Sequence, residues 1–192
     1  MGMGSTKAIF AALICVLCAS LLFSFPVSAQ GTSSSPADLA DNEKVIYALP
    51  DIGSISPENP LFIFKRVRDG ILLALPQDTE TKTRLLIQMS DKYTVYADKL
   101  AHLSKTQRSL EMFQTTLGYQ STIIELFREE SKKPDTHTNK AMDDLRYTAL
   151  QSNIKQAETL RSLIDDIPTS EQSAFVELLE KNMQLRKKLQ GI

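Results

Sequence analysis

A few groups of residues in this chain have side chains that could do chemistry. His102 follows Asp98 by four positions, the spacing at which two side chains meet on one helix face. A carboxylate that orients an imidazole is half of a general-base device. No nucleophile or third partner accompanies the pair, so its expected role is a surface ion pair. The other histidine, His137, falls near Asp135 in a polar turn and reads as solvated. Cys15 and Cys18 have Cys-x-x-Cys spacing, but they sit inside an apolar run that offers nothing to lower a thiol pKa. Glu129-Glu130, Asp143-Asp144 and Asp165-Asp166 are adjacent acids. Neighbouring helical residues point about 100° apart, so the members of each pair do not converge on a metal. The Glu-x-x-His signature of carboxylate-bridged bundle sites is missing. So are a Gly-rich phosphate loop, Gly-x-Ser-x-Gly and His-Glu-x-x-His. The sequence therefore supplies no catalytic residue, no metal set and no cofactor site, and a non-enzymatic protein is expected.

The strongest positional signal lies at the start. Lys7 is the only charged side chain before Asp38, and an apolar run from Ala8 to Phe25 follows it. Pro26 breaks the run. Val27-Ser28-Ala29 then places small residues ahead of a signal-peptidase cut between Ala29 and Gln30. Residues 1–29 read as an export signal, which implies a secreted or other extracytoplasmic location. The alternative is an uncleaved anchor at residues 8–25. Those 18 residues would make a helix of about 27 Å against a hydrocarbon core of roughly 30 Å. The rest would then be the extracytoplasmic domain of a single-pass sensor or regulator. If the signal is removed, no cysteine remains and stability rests on packing without disulfides.

Residues 30–192 leave 163 residues, enough for one domain that buries roughly 70% of its unfolded surface. There is no tryptophan, glycine is sparse, and Leu, Lys, Glu, Gln and Ala dominate, which favours helix over sheet. Residues 30–59 carry five acids against Lys44, and residues 60–192 carry 20 cations against 18 acids. Neither balance builds the concentrated basic face that nucleic acid requires. The densest cluster, Arg186-Lys187-Lys188, lies where cations complement a helix dipole.

Residues 30–44 read as a polar tether. Residues 45–59 mix Val45, Ile46, Tyr47, Leu49, Ile52 and Ile55 with Pro50, Gly53 and Pro57; an extended segment laid against the domain is expected. The first helix should run from Pro60 to Leu75, capped by Asn59 and stopped by Pro76. Leu61, Phe62, Phe64, Val67, Ile71, Leu72 and Leu75 form its apolar face, with Lys65, Arg66, Arg68 and Asp69 opposite. Packing of that face into the domain is the default expectation. Lying in a membrane interface is the alternative.

The second helix follows an Asp78 cap and runs to about Leu103. Its seam is Leu85, Met89, Tyr93, Tyr96, Leu100 and Leu103, spaced close to a heptad. Ser104 to Gln107 fits a capping box that starts the third helix, which carries Leu110, Phe113, Leu117, Ile124 and Phe127 and ends near Lys133. The fourth carries Met142, Leu145, Ala149, Ile154, Ala157, Leu160 and Ile164, and Pro168 stops it. Thr169 and Gln172 form a second capping box for the fifth, with Phe175, Val176, Leu179, Met183 and Leu189 inward and Gly191 past its end. Long helices with short connections pack as antiparallel neighbours. The expectation is an all-α antiparallel bundle of four to five helices over residues 60–192.

Leu49-Pro50, Gly53, Pro57, Pro60-Leu61, Lys65 and Asp69, within residues 49–69, resemble the opening of a bacterial exported all-helical domain family of unknown function. The likeness extends over roughly residues 45–185 and is most specific at its opening. Helices two and three here are poorer in Ala and Glu than that family's. The resemblance implies export and helical structure, and it carries no catalytic residues. A binding or scaffolding module of the cell envelope is the leading expectation, with an envelope protein or a membrane surface as partner and no nucleic acid. Its interaction surface is expected at Phe62, Lys65, Arg66, Arg68, Tyr93 and Tyr96, with core packing the default for the two tyrosines. A carboxylate and His102 metal protein or hydrolase stands as the remaining alternative.

Overall fold

The computed structural model of the chain describes residues 47–51, 57–133 and 140–192. The leader with Cys15 and Cys18, the Ala29–Gln30 cut and the tether lie outside the described residues, as do Val45, Ile46, Ile52, Ile55, Asp135 and His137. Among the described residues there are five helices and no strand: α1 (Phe62–Ala74), α2 (Thr79–His102), α3 (Thr106–Glu130), α4 (Lys140–Asp166) and α5 (Thr169–Gln190). None of them is long and apolar enough to cross a membrane.

Local chemistry sets most of the boundaries. The Asp78 carboxylate accepts from Thr81 N at 2.8 Å and from Thr81 Oγ1 at 2.7 Å. This caps α2 and holds the Asp78 pKa below its usual value. Asn59 Oδ1 accepts from Leu61 N at 2.9 Å and Asn59 O accepts from Phe62 N at 2.8 Å, so Asn59 caps a tight turn and α1 opens two residues after Pro60. Neither of the two expected capping boxes forms. Ser104 takes the left-handed conformation at φ 57°, which reverses the chain between α2 and α3, and no side chain caps α3. Pro168 rather than Thr169 holds the cap position of α5, and Gln172 Nε2 instead donates to Ile167 O at 3.2 Å. Gly191 ends α5 with φ −88°, so the left-handed freedom of glycine is not used there. The carbonyls at that end take donors from α4: Arg146 Nε donates to Leu189 O and Arg146 Nη2 to Gln190 O, both at 3.2 Å.

Helices α2 to α5 form a four-helix bundle in which α2 packs on α3 and α4, and α5 packs on α3 and α4. Leu86 and Ile87 share one apolar cluster with Met142, Leu145 and Ala149, whereas Leu100 shares the other with Leu160 and Leu163. Position therefore rises in step along α2 and α4, which run parallel. Phe113 with Phe175, and Phe127 with Leu189, put α3 and α5 in the same relation. Two antiparallel hairpins, α2–α3 and α4–α5, thus lie side by side. α3 and α4 stand diagonally opposed, and the lateral neighbours α2–α4 and α3–α5 are parallel, where the short loops implied antiparallel packing.

Between the two apolar clusters lies a polar layer. It is made of Ser90 and Asp91 on α2, Thr116 and Gln120 on α3, and Ser152 and Gln156 on α4, all buried.

Candidate functional site

The face that α1 turns to solvent is its apolar one. Leu61, Ile63, Phe64, Val67, Ile71 and Leu75 are each between 51% and 68% exposed. At 100° per residue, Ile63 to Leu75 sweep an arc of about 120°. Arg66 borders one edge of that arc and Arg68 the other. This corrects the expectation that these apolar side chains pack into the domain with Asp69 outside. The helix instead rests on α2 through Phe62 and Asp69, which are 6% and 2% exposed. The reason is local. The Phe62 ring stands edge-on to Tyr96 at 4.7 Å between centroids, filling a slot that the outward residues would leave empty. The Asp69 carboxylate that enters beside it is neutralised by Arg68, whose Nε and Nη2 donate to Oδ1 at 3.0 and 2.6 Å.

Three residues expected on the interaction surface are therefore interior. Phe62, Tyr93 and Tyr96 belong to the apolar core, where Tyr93 also meets Tyr96 and Tyr119 edge to face at 5.9 and 5.5 Å. Burial, followed by the Asp69 charge, pushes the Tyr96 hydroxyl up to about 12. Lys65, Arg66 and Arg68 stay at the surface. Lys65 Nζ lies 5.8 Å from the Tyr96 ring centroid, within cation–π range. Loss of hydration, then the charges of Arg68 and Lys99, lower the Lys65 pKa against the pull of Asp69. Lys92 is lowered first by burial and also by Arg68 and Lys65, again with Asp69 opposing. Lys65, Arg68 and Lys92 thus surround the buried Asp69, with Lys99 near Lys65.

The polar layer was not anticipated from the sequence. Ser152 Oγ donates to Asp91 Oδ1 at 2.6 Å, and the Tyr47 hydroxyl donates to Asp91 Oδ2 at 2.5 Å. Gln156 Nε2 donates to Ser90 Oγ at 2.7 Å and to Ser152 Oγ at 2.8 Å, and Gln120 Nε2 to Ser90 Oγ at 3.1 Å. Tyr47 ties the described residues 47–51 to the bundle interior, and Val45, Ile46 and residues 52–56 of that stretch lie outside the described residues. Burial raises the Asp91 pKa, and its hydrogen bonds to Ser152, Tyr47 and Gln156 oppose the rise. Burial and the Asp91 carboxylate raise the Tyr47 pKa. The amide oxygens of Gln120 and Gln156 have no partner. The signal that could have exposed this layer is a polar residue pair at i, i+4 on each of three helices: Ser90 and Thr94, Thr116 and Gln120, Ser152 and Gln156.

The remaining chemistry-bearing residues stay apart. His102 Nε2 and Asp98 Oδ1 form a solvent-exposed pair at 3.5 Å. Burial is the main influence raising the Asp98 pKa, while His102 opposes it. Among the described residues no three His, Cys, Asp or Glu side chains are grouped to hold a metal. A shallow, open depression at the α2–α3 turn is lined by Ser104, Lys105, Arg108, Glu111 and Glu171 among others. Arg186 turns from the C-terminal basic cluster to donate to Asn153 Oδ1 at 3.2 Å, leaving Lys187 and Lys188 in the last turn of α5. The chain matches no family model, no curated protein and no solved structure.

Proposed function

We propose that this chain is an exported, non-catalytic helical-bundle protein of the bacterial cell envelope, a binding or scaffolding module that uses α1 as its contact face. One observation carries the reading: the apolar arc of α1 faces solvent as a contiguous patch, whereas α2 to α5 expose only the separate side chains Leu103, Val176 and Met183 among their large apolar residues. A contiguous exposed apolar patch with a polar rim is characteristic of an interaction site. The apolar leader at residues 8–25 supports export.

The test compares the full chain with a Phe64→Glu/Ile71→Glu variant as bait for envelope extracts. Both positions are exposed, so the variant should keep its helical circular-dichroism signal and lose the captured material. A protein that captures nothing through this face, yet turns over an envelope substrate, would overturn the reading. Export has its own check. The mature chain should begin at Gln30 by N-terminal sequencing. A chain that retains residues 1–29 and resists an alkaline wash of membranes would instead be the anchored regulator, a reading favoured by the length of the apolar run.

A further inference from the structure

We infer that α1 is an interfacial helix that docks on an anionic lipid surface, its apolar arc in the headgroup boundary and the flanking cations at the phosphates. The inference rests on the contact-face reading above and names its partner. Charge selects among the occupants of such a face. From Pro60 to Gln77 the chain carries Lys65, Arg66 and Arg68 and a single acid, Asp69. That acid is buried and paired with Arg68. Lys65, Lys92 and Lys99 add positive charge on the α2 side of the helix, behind the arc, and Arg66 and Arg68 are the cations at its edges. Glu58, just ahead of the helix, pairs with Lys105 at 3.9 Å.

A second copy of α1 placed against the first would set cation against cation, with no solvent-facing acid on either helix to answer them. The arc is also wider than the narrow two-position seam a helix pair needs, and its 13 residues fall short of the three heptads a coiled coil sustains. A convex apolar arc with cations at both edges is the form of a helix lying in the membrane plane, where long basic side chains reach up to the headgroups.

The chain has no tryptophan, so a single introduced indole reports on one place. In the full chain, Phe64→Trp puts it on the arc, and Val176→Trp puts it on the exposed side of α5 as a control that the leader alone would carry to the membrane. Each variant is mixed with vesicles of phosphatidylglycerol and phosphatidylcholine, or of phosphatidylcholine alone. The expected result is a blue shift and protection from acrylamide at position 64 on the anionic vesicles only, with none at position 176. Added salt should weaken the effect, and Arg66→Gln should weaken it about fivefold.

No shift at position 64, an equal shift on both lipids, or equal shifts at both positions would overturn the inference. Two further results would do so while leaving the contact-face reading intact. One is self-association by sedimentation that the Phe64→Glu/Ile71→Glu variant abolishes. The other is the capture, through the same arc, of an acidic protein that blocks vesicle binding.

Discussion

Asp91 is the residue on which the bundle interior turns. Its buried carboxylate on α2 lies against α4 and the segment ahead of α1, and it accepts from Ser152 and Tyr47. Removing an acceptor that buried donors depend on is more damaging than never having had the network. Asp91→Ala should destabilise the protein by roughly 2–4 kcal/mol in urea titrations, and Tyr47→Phe by about 1–2 kcal/mol. The pH dependence has a definite sign. Burial raises the folded-state pKa above the unfolded carboxylate value of 3.8. Between those two values the folded chain binds more protons than the unfolded one, so this group adds stability as pH falls. Other carboxylates act in the opposite sense, among them Asp78 with its lowered pKa. The contribution of Asp91 is therefore read as a difference. Going from neutral pH toward pH 4, the wild type should gain stability relative to Asp91→Asn, and parallel curves would refute the assignment. Asn182 is the contrasting case. Its side-chain amide is fully buried with neither atom partnered. Asn182→Leu should accordingly stabilise the fold by about 1 kcal/mol, measured as a rise in urea midpoint at unchanged slope.

At the scale of elements, the α2–α3 turn makes its own prediction. Ser104 holds φ 57°, a conformation that is strained for a residue with a Cβ. Ser104→Gly should stabilise by about 0.5–1 kcal/mol, and Ser104→Ile should destabilise by at least as much, in thermal melts. The helices themselves were largely legible. Asp78 and Pro168 mark real ends, and the periodic placement of Met89, Tyr93, Tyr96 and Leu100 predicts the buried side of α2. The inward side of α5 was legible only in part. Phe175, Leu179 and Leu189 pack as expected, but Leu178 and Asn182 are buried in place of Val176 and Met183, which remain exposed. A polar Asn in the true seam made the neighbouring apolar row look the better one. The same cause hid the polar layer. Ser, Thr and Gln at i, i+4 read as a solvated stripe until three helices bring them together, and that convergence is a tertiary fact. For α1 the pattern was correct and its direction was not. Periodicity identifies an apolar face without saying which way it points, and the Phe62–Tyr96 contact and the Arg68–Asp69 pair decided it.

At the scale of the whole molecule, two apolar clusters are separated by one hydrogen-bonded layer. Apolar packing alone is permissive about how two hairpins slide past each other, whereas a buried polar network is satisfied in one register. Replacing the layer together (Tyr47→Phe, Ser90→Ala, Asp91→Leu, Gln120→Leu, Ser152→Ala, Gln156→Leu) should raise the melting temperature and broaden the amide NMR spectrum as alternative registers become populated. A spectrum as well dispersed as the wild type's would show that packing alone fixes the register.

The phenol of Tyr47 reaches the buried Asp91 carboxylate on α2 from 44 positions upstream. Displacing residues 47–51 would therefore strip a donor from a carboxylate that has lost its water, so this stretch of chain belongs to the interior and is no mere appendage to it.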